Sequence, residues 1–152
     1  MSPITFVMLK PDAIEKKLAF TVLSYFLEKG LRIETFDVQT ATEEKVRVHY
    51  GEHIAKYGED FARKMLDMFE GKIVVPIVLS GEGDVIGRVR EIVGATQPAF
   101  AAKGTIRGDL GDGDSYARST AENRVVRNVI HASDTEEAVR REIGIWLPNY
   151  IY

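Results

Sequence analysis

The chain has 152 residues, no cysteine and a net charge of −3 from 20 basic and 23 acidic side chains. Without cysteine there is no disulfide framework, thiolate zinc site or catalytic thiol, and nothing in the charge balance predicts general affinity for nucleic acid. A composition 45% hydrophobic and 28% charged, with no apolar run long enough to span a bilayer, predicts one domain over residues 1–152, placed in the cytoplasm.

Met1 to Lys10 has no basic segment ahead of its apolar run, so it reads as a first strand, Ile4 to Leu9, and not as a signal peptide. Pro11 suits the first turn of a helix, and apolar spacing from Asp12 to Lys29 predicts one that Gly30 stops. Leu31 to Thr40 alternates as a strand. Thr42 with Glu43 and Glu44 opens a helical stretch towards Tyr50, and Gly58 to Phe69 predicts another helix. Ile73 to Leu79 is a β-branched strand whose Pro76 points to an edge or a bulge.

Asp84 to Val93 predicts a short helix carrying Arg88 and Arg90. Gly94 to Asp109 reads as an ordered loop holding Thr96, Lys103 and Arg107. Residues 109–123, with Gly111-Asp112-Gly113-Asp114-Ser115, predict an exposed excursion. Arg124 to Ile130 resumes a strand pattern. Ser133-Asp134-Thr135-Glu136 has capping-box spacing and opens a helix that runs to about Trp146. The order condenses to βαββαβ with additions, an α+β fold with helices on one face of a mainly antiparallel sheet.

His131 has the most pointed chemical setting. It stands at a strand end before a capped helix, where free N–H groups favour an anion, and neutral imidazole is a competent nucleophile near pH 7. A lone histidine at a strand end is more often a satisfied core residue, and His49 and His53 are read that way. Lys10, Arg88 and Arg107 each stand at an element edge, where they would converge to hold polyphosphate. No Walker-type phosphate loop is present.

Asn128-Val129-Ile130-His131-Ala132-Ser133-Asp134 resembles the N-x-x-H-[GA]-S-D signature of nucleoside diphosphate kinases. Lys10-Pro11-Asp12, His49-Tyr50, Gly87-Arg88, Thr96-Gln97-Pro98, Thr105 to Asp109 and Glu142 to Trp146 resemble the family's other motifs, in order. The resemblance implies a ferredoxin-like fold with a four-stranded antiparallel sheet. It also implies ping-pong transfer of the γ-phosphate of ATP or another nucleoside triphosphate to a nucleoside diphosphate. It makes His131 the nucleophile, oriented by Glu142 with Ser133. Lys10, Tyr50, Arg88, Thr96 and Arg107 would surround the phosphates, and Lys10 and Asn128 would reach the ribose. Mg2+ would bridge phosphate oxygens with no metal site of the protein's own. A tetramer or hexamer of identical chains would be the assembly, with no membrane or specific nucleic-acid partner.

Three stretches depart from the family pattern. Asp60 occupies the place of the base-stacking phenylalanine, and Phe61 beside it is assigned that task. Two residues are added between Arg88 and Thr96, and about eleven within residues 109–123. A nucleotide-binding module without turnover, or a nucleic-acid binder using an open sheet face, are the competing readings.

Overall fold

The computed structural model describes residues 3–152. Strand β1 (Ile4–Leu9) leads into helices α1 (Pro11–Glu15) and α2 (Ala19–Glu28). The single helix expected from Asp12 to Lys29 is broken, because Lys17 takes a left-handed φ of 60°. Next come β2 (Arg32–Phe36), the two-residue β3 (Gln39–Thr40), α3 (Glu43–His49), α4 (Gly51–Tyr57), α5 (Glu59–Phe69) and β4 (Ile73–Ser80). The second half holds α6 (Val85–Val93), a 3-10 turn at Pro98–Phe100, α7 (Ile106–Leu110), α8 (Tyr116–Ala121), β5 (Ile130–Ala132) and α9 (Glu136–Trp146).

The sheet is antiparallel throughout, in the order β2-β4-β1-β5, with β3 pairing β4 beyond the end of β2. This is the ferredoxin-like arrangement with one short strand added. Pro76 sits in central β4, not at an edge, and faces Met8 of β1. Its carbonyl accepts from Asp37 N–H, in the gap between β2 and β3. A residue's N and O point to the same side of a strand, so the missing N–H faces a place where no ladder partner is required.

Helices cover both faces of the sheet, not one. Val7, Leu9, Val75, Ile77 and Leu79 point to a core closed by Val22, Phe26, Val89 and Ile106. The alternate residues Phe6, Met8, Val74 and Val78 meet Val46, Met65, Phe69, Ile143 and Trp146. With neither face open, the stacking platform required of a sheet-face nucleic-acid binder is missing among the described residues. The alternation also sorts the site. Ile130 and Ala132 face the first core, so His131 between them faces the second, as does Lys10 two residues beyond Met8.

Candidate active site

Residues 124–129 are irregular and the last strand is only Ile130–Ala132. The segment is shaped by Asp12, whose Oδ2 accepts from Val129 N–H at 3.0 Å, while Lys10 N–H donates to Val129 O at 3.0 Å. Ile130 N–H donates back to Asn128 O at 2.8 Å, closing a turn on Val129 at a φ of 76°. A β-branched residue there is a strained backbone outlier, held by bonds on both sides. The strain lies two residues ahead of His131.

His131 pairs across from Met8, and its ring meets α9. Its Nε2 lies 2.7 Å from Glu142 Oε1, which also accepts from Ser133 Oγ. A carboxylate only accepts, so Nε2 carries the hydrogen and Nδ1 keeps a free lone pair. Burial, then Lys10, Arg107 and Arg90, push the His131 pKa well below 6.5, leaving the ring neutral at pH 7. Ser133 does not cap the helix, as the capping-box spacing predicted. Thr135 does, accepting from Ala138 N–H at 3.0 Å, which frees the Ser133 hydroxyl for Glu142.

Glu142 is 2% exposed and lies in the α9 stripe of Val139, Ile143 and Trp146. A carboxylate inside an apolar stripe is itself a sequence signal. Its Oε2 faces His49 Nε2 at 3.6 Å. His49, read from sequence as an ordinary core residue, is packed 4.5 Å from the His131 ring. Its place on the buried side of α3, three residues after Val46, was the available clue. His49, His131 and Glu142 are close enough together to suggest a metal site. The donor set does not suit one. Trp146 Nε1–H donates to His49 Nδ1 at 2.9 Å, and an indole nitrogen only donates. That places the neutral ring's hydrogen on Nε2, the atom a metal would need.

The cations gather round this centre. Lys10 Nζ donates to Asn128 Oδ1 at 2.6 Å, and Asn128 Nδ2 to Thr96 O at 2.9 Å. Burial, with Arg107 nearby, lowers the Lys10 pKa to about 7. Arg107 lies in α7, not in a loop. Thr105 caps that helix, and Gly108 is required because a Cβ there would meet Ala102 O at 2.1 Å. The Arg107 guanidinium donates to Ile130 O at 2.7 Å and to Asn128 O and Gly94 O, each at 3.2 Å. Burial and Arg90 lower its pKa to about 10. The Tyr50 hydroxyl is buried without a hydrogen-bond partner, and burial together with Glu142 raises its pKa.

Arg88 is the main correction. Its guanidinium binds Lys29 O at 2.8 Å and Glu82 O at 2.7 Å, at the other end of the molecule's first core. Arg90 is the residue brought to the site, donating to Ala132 O at 2.8 Å and leaving most of its donors free. Arg90 is one helical turn on from Ile86, which packs towards the second core. Counted from Arg90, no residues are added before Thr96. Phe61 is half-buried, 6.3 Å from the His53 ring and 5.5 Å from Tyr57, while Asp60 is exposed and paired with Arg63.

The excursion at 109–123 lies mostly at the surface, as expected, but it is folded, with α8 and a buried anchor at Asp114. Asp114 is 3% exposed and takes both terminal nitrogens of Arg124, at 2.7 and 3.0 Å, plus Arg127 N–H at 2.7 Å. Its carbonyl accepts from Ala99 N–H, and Tyr116 N–H donates to Gln97 Oε1. The insertion therefore ties the Thr96–Phe100 wall to the segment that carries Asn128.

A neutral, half-buried histidine with one nitrogen held by a carboxylate, ringed by a lysine and two arginines, defines a phosphotransfer centre. Residues 4–151 match the family model described as nucleoside diphosphate kinase. Nucleoside diphosphate kinase of Staphylococcus carnosus is 38% identical over 95% of this chain and 87% of its own length. That of Methanothermobacter thermautotrophicus is 39% identical over 93% and 85%. A Borrelia burgdorferi nucleoside-diphosphate kinase structure, a transition state mimic with bound vanadate and ADP, superposes with a TM-score of 0.88. It is 31% identical, covering 95% of this chain and 86% of the other. An NDP kinase from Pyrobaculum aerophilum gives a TM-score of 0.84 at 30% identity and 96% coverage of both chains. The chain belongs to the nucleoside diphosphate kinase family and is a phosphotransferase of that class.

Proposed function

We propose that His131 carries the phosphoryl group between a nucleoside triphosphate and a nucleoside diphosphate in two half-reactions. The observation that carries this reading is the Nε2–Glu142 contact of 2.7 Å, which leaves Nδ1 as the nucleophile. In the first half-reaction the Nδ1 lone pair attacks the γ-phosphorus of ATP. The N–P bond forms, the bond to the bridging β–γ oxygen breaks, and the diphosphate departs. Glu142 stabilises the positive charge that develops on the ring, with Ser133 fixing the carboxylate. In the second half-reaction a β-phosphate oxygen of the acceptor attacks and the N–P bond breaks. The vanadate and ADP held by the Borrelia burgdorferi relative fit this chemistry.

Lys10, Arg90, Arg107 and Thr96 hold the phosphates, with the Tyr50 hydroxyl as a further donor, and Lys10 and Asn128 reach the ribose. These groups are cations and neutral donors, so Mg2+ would be carried in by the nucleotide phosphates, where it would neutralise their charge. Phe61, Lys64 and Met68 share one face of α5, and the latter two line a cavity of about 140 Å3 with Val125 and Arg127, next to Asn128 in sequence. We place the base on this side of α5 and assign the stacking to Phe61, whose π-face would accept any base. Phe36 and Val38, each 60% exposed at the β2 edge, support assembly of identical chains. No helix among the described residues is long and apolar enough to cross a membrane.

The test is exchange between ATP and GDP, CDP and UDP with the native chain and His131→Ala. The native chain is expected to turn over all three at similar rates and the variant none. Transfer by His131→Ala would refute the carrier role, and acceptor rates differing by orders of magnitude would refute base stacking.

A further inference from the structure

Glu142 Oε1 is held by His131 and Ser133, while Oε2 faces two groups that the mechanism above does not use. One is Arg141, whose terminal nitrogen is 3.8 Å away on a side chain 43% exposed. The other is His49 Nε2 at 3.6 Å, on a side chain 1% exposed. Trp146 fixes what His49 presents, because its donated hydrogen leaves the His49 hydrogen on Nε2, pointing at the carboxylate. That N–H is buried and makes no hydrogen bond. At 3.6 Å the contact is an ion–dipole one, of the kind that shortens when a reaction complex forms. Burial and the neighbouring His131 keep the His49 ring uncharged.

We propose that His49 is a positioning residue for phosphoryl transfer, its Nε2–H holding the second oxygen of Glu142 so that the first stays on His131. The proposal rests on His131 as the phosphoryl carrier. A neutral donor suits this task better than a cation. It orients the carboxylate without cancelling the negative charge that stabilises the imidazole as it gains phosphorus. Trp146 acts through His49. Without the indole donor, His49 is free to move its hydrogen to Nδ1 and turn a lone pair towards Oε2, which repels it.

The experiment is rapid-quench measurement of phosphoenzyme formation from labelled Mg-ATP, without acceptor, alongside ATP binding. It compares the native chain with His49→Leu, His49→Gln, Trp146→Phe and the Leu/Phe double variant. His49→Leu is expected to slow phosphorylation about tenfold, the scale of one hydrogen bond to a charged group, with ATP binding unchanged. His49→Gln restores much of the rate, because its amide supplies an N–H. Trp146→Phe slows the native chain but not the His49→Leu variant. A native rate in His49→Leu, equal losses in Leu and Gln, or ATP affinity falling in step with rate overturns the proposal. Should His49→Leu fail to fold, Trp146→Phe decides: slowed phosphorylation at unchanged ATP binding, with His49→Gln closer to native, supports the proposal, and a native rate in Trp146→Phe overturns it. A native chain that takes up no label overturns instead the His131 reading beneath it.

Discussion

Arg88 and Arg90 sit on one short helix and do different work. Arg88 closes the carbonyls of Lys29 and Glu82, while Arg90 reaches Ala132 O beside the nucleophile. Electrostatic stabilisation of a transferring phosphoryl group is worth roughly a hundredfold or more per well-placed donor. Arg90→Ala is therefore expected to lower kcat/KM by about a hundredfold with little change in Tm. Arg88→Ala is expected to lower Tm and leave kcat/KM near native. Steady-state kinetics and thermal melts on the two variants check this, and the opposite pattern would return the phosphate role to Arg88. The glycine before Arg88 made it look like the family's residue, but spacing from Thr96 selects Arg90. His131, Glu142, Lys10, Arg107 and Asn128 were legible because their motifs are contiguous strings. His49 was not, because its partner Trp146 lies 97 residues away in sequence.

At the scale of elements, the insertion gains a purpose from Asp114. Burial alone would raise its carboxyl, but the Arg124 bonds and the N–H groups of Arg127 and Ser115 outweigh this and hold its pKa at about 2. A carboxyl depressed from 3.8 contributes stability that is present at neutral pH and lost as the pH falls towards about 2. Asp114→Asn is expected to destabilise the chain by roughly 2–3 kcal/mol at pH 7, since Arg124 loses its buried charge partner and keeps only the exposed Glu122. The gap to native should shrink from about pH 4, where Asp114 of the unfolded chain takes up its proton, down to about pH 2, where the folded carboxyl does. Denaturant titrations at several pH values check this, and an unchanged gap in acid would assign the stability elsewhere. Nucleotide KM should rise more than kcat falls, because the clasp sets the Thr96 and Asn128 walls and does not touch the histidine. From sequence, the Gly-Asp-rich stretch signalled turns but not closure, since the buried Asp114–Arg124 pair forms only when the loop folds back. The single helix expected before Gly30 and the strand expected from Arg124 failed similarly. Lys17 and Val129 take left-handed φ values that apolar spacing does not reveal.

Across the whole molecule, the βαββαβ order and the antiparallel sheet followed from apolar runs and turn residues. Coverage of the second face did not, because α3, α5 and α9 reach it from separate parts of the chain. That coverage gives the site its character. It sets His131 half-buried beside the second core, keeps the ring neutral, and sets Glu142 against Nε2 through a helix packed on Phe6, Met8 and Val78. The central claim is that this arrangement directs phosphorus to one nitrogen. Its most direct test is phosphorus NMR, with peptide mapping, of the enzyme labelled by Mg-ATP without acceptor. The account predicts a single acid-labile phosphohistidine at His131, bonded through Nδ1 and discharged by added GDP. Phosphorus on Nε2, or on any residue other than His131, would contradict it.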